Sequence, residues 1–232
     1  MANQLDLEEQ EQLDQLKHVW KQYGNLITWV LIAVMGAYAA WNGYQYWQRN
    51  QAAQAAAMFD EVERLSRQGD SAKVERAFTD MRERFGGTAY AQQSGLLVAK
   101  QLYEAGKIDA AKAALEWVST NAADEAYQAI AKLRLAAILA ETKSYPQALA
   151  QLNGTFPAEF APLVADRRGD ILALQGKTAD AKVEYGKAYK GLDEKTEYRR
   201  LIEIKLNALG VNPVAPTVAS AAAPAASAGS VQ

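Results

Sequence analysis

The chain has 232 residues, half of them apolar, and a formal net charge of −2 at pH 7. This near-neutral balance, without a block of lysine or arginine, argues against nucleic acid or an anionic lipid surface as the main partner. The absence of cysteine excludes disulfide frameworks, cysteine-based zinc sites and thiol catalysis.

Residues 1–24 are predicted to form a short amphipathic segment. Leu13, Leu16, Trp20 and Tyr23 recur at spacings of three and four on an acidic background, which is typical of a helix with one apolar face. Basic residues on the two sides of the apolar stretch that follows are nearly balanced. Charge alone therefore does not set the orientation of that stretch in a membrane.

Residues 25–47 are predicted to form a single transmembrane helix, because no charged residue occurs between Lys21 and Arg49. As a helix, Leu26 to Trp47 would span roughly 33 Å, against about 30 Å for the hydrocarbon core. Aromatic side chains cluster toward its ends, as interfacial anchors do. The predicted anchor side chains are Leu26, Ile27, Trp29, Val30, Leu31, Ile32, Val34, Trp41 and Trp47.

Two alternatives for this stretch remain open at the level of sequence. It could be a buried core helix, although a soluble helix of this length normally shows a polar face. It could also be a cleaved signal peptide, since Ala37-Tyr38-Ala39 before Ala40 has a small-x-small pattern. The acidic start argues for an uncleaved signal anchor, because a signal peptide begins with a short basic region.

Residues 48–210 are predicted to form an all-α domain, since this part of the chain is rich in Ala, Leu, Lys, Glu and Gln. No strands are expected. Gly, Pro, Ser and Asn recur at intervals that divide the region into helices of about 12 to 18 residues. The breaks are expected near residues 68–70, 86–88, 105–107, 119–124, 142–146, 153–162, 175–177 and 191–193.

Three stretches of this region align as repeats. A turn position recurs at Gly106, Lys143 and Gly176, and an alanine follows each of them five residues later. The physical role of such an alanine is close approach, because a large side chain would force two antiparallel helices apart. The predicted repeat signature is Gly106, Ala111, Tyr145, Ala148, Gly176 and Ala181.

This pattern resembles tetratricopeptide repeats, in which a helix, a tight turn and a second helix form the repeating unit. Only the turn and second-helix positions match, and a generic alanine-rich helical bundle is the alternative. Stacked hairpins would leave a concave face that binds peptides or proteins. Candidate side chains for that face are Tyr90, Tyr103, Tyr127, Tyr145, Tyr185, Tyr189 and Tyr198.

The amino-acid composition changes toward the end of the chain. Glu194 to Leu209 is predicted to form a terminal capping helix, with Leu201, Ile204 and Leu206 among charged residues. Residues 211–232 consist mainly of Ala, Pro, Ser and Val without a charge, and they lack the large apolar groups that would offset the entropy of ordering. We expect this tail to be disordered.

The sequence contains no recognisable catalytic, cofactor or metal-binding motif. His18 is the only histidine, and no cysteine could share a metal with it. Phe85-Gly86-Gly87-Thr88 lacks the lysine and the spacing of a phosphate-binding loop. We therefore expect a protein that is not an enzyme and that needs no cofactor.

The order of parts resembles the YfgM family, the ancillary subunits of the bacterial SecYEG translocon. The resemblance rests on the segment from Glu8 to Asn25, the apolar helix directly after it, and Gln51 to Arg64 leading into a helical-repeat body. It implies a single-pass type II inner-membrane protein with a cytoplasmic amino end and a periplasmic repeat domain. It also implies association with SecYEG and with the membrane-anchored chaperone PpiD.

The same resemblance implies that emerging secreted clients pass through this protein toward periplasmic chaperones. Two other functions are compatible with an apolar helix followed by a helical-repeat body. A cell-envelope assembly scaffold would have the same fold and a different partner. A soluble periplasmic repeat protein would have lost its leader at Ala40.

Overall fold

The computed structural model describes residues 7–213, with side chains from Lys17 onward except that of Val19. This part of the chain is helical and contains no strand, which confirms the predicted fold class. From residue 214 onward the predicted tail lies outside the described residues. The α-helices are α1 (Leu7–Gln68), α2 (Ser71–Phe85), α3 (Ala89–Glu104), α4 (Ile108–Asn121), α5 (Glu125–Glu141), α6 (Tyr145–Gln151), α7 (Ala161–Leu174), α8 (Thr178–Gly191) and α9 (Glu197–Ala208).

The chain divides into two compact units, Met1–Met58 and Phe59–Gln232. The described part of the first unit is one uninterrupted helical stretch of α1. The second unit contains the end of α1 and the eight helices that follow, with a short 3₁₀ turn at Ala158–Phe160. Within it, helices adjacent in sequence pack together from α2 to α9. The first helices of successive hairpins also touch, α3 with α5 and α5 with α7.

The hairpin turns share one backbone conformation. The turn residue has a positive φ at Gly69, Gly106, Lys143 and Gly176, and again at Gly210 after α9. In all but the first, the next amide donates to the carbonyl four residues before the turn residue, as Lys107 N does to Leu102 O at 2.8 Å. This 6→1 bond and the left-handed residue define a Schellman motif, which ends one helix and aims the chain into the next.

Buried core residues recur at fixed distances from the turn residues. A leucine lies four residues before each of these five turn residues, and the residues five and nine positions after the first four are buried. The leucines four residues before the turn residues are Leu65, Leu102, Leu139, Leu172 and Leu206. The position five after is Val74, Ala111, Ala148 and Ala181, and the position nine after is Phe78, Leu115, Leu152 and Tyr185. Each hairpin thus adds one layer to the core of this unit, as in other helical-repeat proteins.

Candidate functional site

The apolar part of α1 exposes its large side chains. Trp29 is 66% exposed and Val34 is 60% exposed. The most apolar 18-residue stretch within Trp20–Gln68 has a mean hydropathy of 1.4, and 6% of that stretch is buried. By length and composition this helix can cross a membrane. Of the predicted anchor residues, Ile27 is half-buried and the others are exposed: Leu26, Trp29, Val30, Leu31, Ile32, Val34, Trp41 and Trp47.

Three polar side chains of this stretch find partners on the same helix. Thr28 Oγ1 donates to the carbonyl of Gly24 at 2.8 Å, and Asn42 Nδ2 donates to the carbonyl of Tyr38 at 3.0 Å. Gln48 Nε2 donates to the Tyr44 hydroxyl at 2.9 Å. Such local bonds lower the cost of placing a polar group in a hydrocarbon environment.

The residues of the predicted repeat signature occupy equivalent places. Gly106 and Gly176 are turn residues with φ of 74° and 75°. Ala111, Ala148 and Ala181 are completely buried in the helix that follows each turn. Tyr145 begins α6 and packs, partly buried, against the core beneath it.

The first helices carry a small-residue signal that the sequence analysis missed. Ala99, Ala136 and Gly169 lie seven residues before a turn residue, and all three are buried. A Cβ added at Gly169 would lie 2.6 Å from the ring of Tyr185 on α8. The small residues therefore admit the bulky side chain from the second helix, and aligning the repeats on their turns would have revealed the pattern.

A groove follows the face formed by α3, α5 and α7. It contains two adjoining cavities of ≈ 310 Å³ and ≈ 460 Å³ that share Ala137, Glu141 and Arg167 as walls. Ala99 and Leu115 contribute apolar surface to the first cavity, and its rim includes Tyr103. Volumes of this size and a mainly apolar lining are typical of sites that bind a ligand or peptide side chain.

Two arginines line the groove, and neither was singled out in the sequence. Arg134 on α5 and Arg167 on α7 both line the smaller cavity. Each lies nine residues before its turn residue, Lys143 and Gly176 respectively, so the repeat geometry places them on the same face of successive first helices. They therefore place two guanidinium groups along the groove, where the carboxylates of Glu141 and Asp170 also line the cavities.

The end of the second unit contains a buried ionic network. Asp166 is 1% exposed, and it accepts hydrogen bonds from Lys205 Nζ at 2.7 Å and from the Tyr198 hydroxyl at 2.5 Å. The same Lys205 also donates to Asp170 Oδ1 at 2.6 Å, and the Tyr185 hydroxyl donates to that oxygen at 2.8 Å. The network joins α7 to both α8 and α9. The buried carboxylate of Asp166 is thus paired with Lys205, as a buried charge must be.

This network also changes the acidity of its two tyrosines. Burial raises the pKa of Tyr185 and of Tyr198 well above the usual value, and the hydrogen bonds to Asp170 and Asp166 raise it further. Both phenols are hydrogen-bond donors at neutral pH, and the raised pKa keeps them protonated further into the alkaline range. Their role in the fold is to hold α8 and α9 to α7.

Most of the tyrosines proposed for a concave face contact other parts of the domain. Tyr103 is 38% exposed and lines the groove, where its hydroxyl donates to Glu141. Tyr185 borders the larger cavity, but it is 4% exposed and serves as core, which corrects its assignment as a binding residue. Tyr127 accepts a hydrogen bond from Gln93 at 2.7 Å, and Tyr90 packs against Phe59.

In the described part of the chain, no group of histidine and acidic side chains is arranged to hold a metal ion. His18 is exposed on α1. The chemistry that the described site offers is therefore apolar burial, hydrogen bonding and charge pairing.

Comparison with known proteins agrees with this architecture. A family model described as a tetratricopeptide repeat-like domain matches residues 17–211. A protein of Neisseria gonorrhoeae named ancillary SecYEG translocon subunit is 31% identical over 204 residues, covering 88% of this chain and 98% of the relative. Proteins of the same name from Haemophilus influenzae and Escherichia coli are 30% and 23% identical over 206 residues, each covering 88% of this chain and 98% and 97% of the relative. The chain therefore belongs to the tetratricopeptide repeat-like family of ancillary SecYEG translocon subunits.

Proposed function

We propose that this chain is a non-enzymatic inner-membrane protein that associates with the SecYEG translocon. The observation that carries this proposal is the pairing of an exposed apolar helix with a helical-repeat unit, in a chain whose relatives are named as translocon subunits. The apolar helix supports membrane association, because its exposed side chains are suited to lipid or to other transmembrane helices.

The proposed topology is single-pass type II. Residues 1–24 form the cytoplasmic segment, residues 25–47 the membrane anchor, residues 48–210 the periplasmic repeat domain and residues 211–232 the carboxy-terminal tail. The length and exposure of the apolar helix support the anchor. The orientation rests on the resemblance to the family, since the flanking charges are balanced.

The chain contains no cysteine, so single introduced cysteines can report this orientation without background. Gln15→Cys tests the amino-terminal side of the anchor, and Arg76→Cys tests an exposed position of the repeat domain. A membrane-impermeant maleimide applied to spheroplasts should label the variant at position 76 and should label the variant at position 15 only after lysis. The reverse pattern would invert the topology.

The repeat domain is the proposed contact for a PpiD-type membrane-anchored chaperone, other periplasmic chaperones and emerging secreted clients. The groove along α3, α5 and α7 supports this part of the proposal, because it offers apolar cavities and charged side chains on one face. Such a groove suits peptide segments, since it can bury a side chain and pair its polar neighbours.

Affinity purification tests the translocon association. The tagged full-length protein and a variant lacking Met1 to Trp47 are purified from membranes or periplasm in a mild detergent, and the co-purifying proteins are identified by mass spectrometry. SecYEG subunits should be recovered with the full-length form only, which would place the contact in or near the anchor. Their absence from both samples would contradict the proposal. Recovery of PpiD with either form tests the chaperone contact separately.

A further inference from the structure

The two groove arginines have hydrogen-bonding capacity that the fold does not use. The Arg134 guanidinium donates from Nη1 to the carbonyl of Leu96 at 3.1 Å, and no carboxylate of the described residues lies within ion-pair distance of it. The Nε of Arg167 is buried and has no hydrogen-bond partner among the described residues. An unpaired buried donor costs free energy, and the rest of the Arg167 side chain is 35% exposed and lines the cavity.

The carboxylates near these arginines already have partners, and Asp170 forms an ion pair with Arg167 itself. Asp170 Oδ2 lies 3.5 Å from Nη1 of Arg167, while its Oδ1 accepts from Lys205 and from the Tyr185 hydroxyl. Glu141 accepts from the Tyr103 hydroxyl at the edge of the smaller cavity. The remaining charged side chain of that cavity, Lys100, adds a third cation and lies 3.8 Å from Glu104. Arg134 is therefore the cation of this cavity that has no carboxylate partner among the described residues.

Apolar surface lies directly beside these cations. Ala99, Leu115 and Ile138 are buried residues that border the same cavity as Arg134 and Arg167. The cavity of ≈ 310 Å³ is large enough for an aliphatic side chain. A matching ligand must present an apolar side chain and an anionic oxygen group within a few ångströms of each other.

We propose that the groove of α3, α5 and α7 binds an acidic peptide segment, with a carboxylate side chain held by Arg134 and Arg167 and a neighbouring aliphatic side chain in the cavity beside Ala99 and Leu115. Guanidinium groups suit this role, because they bind carboxylates through charge-assisted hydrogen bonds of fixed geometry. The inference rests on the proposed function, since it specifies the partner chemistry of the repeat domain.

A matched pair of peptides tests the carboxylate. The probe is a fluorescein-labelled peptide, Ala-Leu-Asp-Leu-Leu-Glu-Ala-Leu-Ala, with blocked ends, and its control replaces Asp by Asn and Glu by Gln. Binding to the full-length protein in dodecyl maltoside is followed by fluorescence anisotropy at low and moderate salt. The acidic peptide should bind at least about five-fold more tightly than the amide peptide, and added salt should reduce the difference because salt screens exposed charges.

Variants then locate the site. Arg134→Gln and Arg167→Gln remove the charge with little change in length, and each should weaken acidic-peptide binding at least about five-fold while leaving amide-peptide binding unchanged. Arg134→Lys retains the charge and should recover part of the loss. Arg76→Gln, at an exposed position of α2 outside the groove, is the matched control and should bind both peptides as the unaltered protein does. Equal thermal midpoints show that the fold is intact.

Three results would overturn the inference: equal binding of the two peptides, binding of neither at millimolar concentration, or equal losses in the control at position 76. None of them bears on the translocon contact. The double variant Arg134→Gln, Arg167→Gln should still recover SecYEG subunits by affinity purification, since that contact is placed in the anchor. Loss of the subunits from the full-length protein would contradict the proposed function without deciding the peptide result.

Discussion

Gly169 on α7 and Tyr185 on α8 meet so closely that a Cβ on the glycine would lie 2.6 Å from both Cδ1 and Cε1 of the ring. The preceding hairpins place Ala99 and Leu115, or Ala136 and Leu152, at the same two positions. Tyr185 is larger than the leucines at the equivalent position, and Gly169 opposite it is smaller than the equivalent alanines. Two helices can keep the same spacing in successive repeats because the side-chain volumes compensate.

Gly169→Ala should lower the free energy of unfolding by about 1–3 kcal/mol, because the added methyl group overpacks the contact with Tyr185. The measurement is urea unfolding of the full-length protein in detergent, followed by circular dichroism. Gly186→Ala is the control on α8, since a Cβ there meets nothing within 4 Å. It should raise stability by roughly 0.5–1 kcal/mol, as an alanine does in a helix interior. Unchanged stability of the variant at position 169 would show that the ring moves aside freely.

Lys143→Gly should stabilise the protein, because Lys143 is the one non-glycine residue of the described chain with a positive φ, at 60°. A left-handed conformation costs an L-residue roughly 1–2 kcal/mol, and glycine avoids that cost while losing some backbone entropy. The net gain should be about 0.5–1 kcal/mol, or an increase of about 1–4 °C in the thermal midpoint. Lys182→Gly, inside α8, should lower the midpoint instead. A decrease for the variant at position 143 would contradict the argument.

The tyrosines of the buried network should make stability fall at alkaline pH. The folded state raises the pKa of Tyr185 and Tyr198, by burial first and then by hydrogen bonds to carboxylates. A phenol that titrates near pH 10 when unfolded but higher when folded contributes stability that is present below about pH 10 and lost as the pH rises further. Urea midpoints measured from pH 8 to 11 should decline above about pH 10. The double variant Tyr185→Phe, Tyr198→Phe should be less stable at pH 8 but should decline less steeply, and an equal slope would exclude the tyrosines as the cause.

Local signals in the sequence account for much of this fold. The turns at Gly106, Lys143 and Gly176 lie where the sequence predicts them, and glycine or a compatible residue is needed there for a physical reason. The alanine five residues after each turn is buried as the close-approach argument requires. These features depend on residues within one hairpin, so the sequence carries them directly.

Features that depend on distant segments could not be predicted in this way. Asp166 lies in Asp-Arg-Arg-Gly-Asp, which in sequence is typical of a solvated helix face. It is buried only because Tyr198 and Lys205 reach it from α9. The two groove arginines could not be predicted either, since Arg134 and Arg167 come to line the same cavity only when successive first helices stack. The distance of a residue from its turn residue indicates which side chains of successive helices share a face, and composition does not.

Val34→Lys should release or mislocalise the protein, because the predicted anchor is only marginally apolar. Six aliphatic side chains contribute very roughly −3 kcal/mol in total, and one lysine near the middle of the helix costs about 2.5–3.5 kcal/mol. The matched control is Val183→Lys on α8, since the two valines are almost equally exposed at 60% and 58%. Membrane fractions are extracted with carbonate, and the protein is quantified in the pellet and the supernatant. The variant at position 34 should move to the supernatant or be degraded, while the control should stay in the pellet. Retention of both would contradict the anchor, and release of both would show that destabilised folding, rather than a lost membrane segment, governs the fractionation.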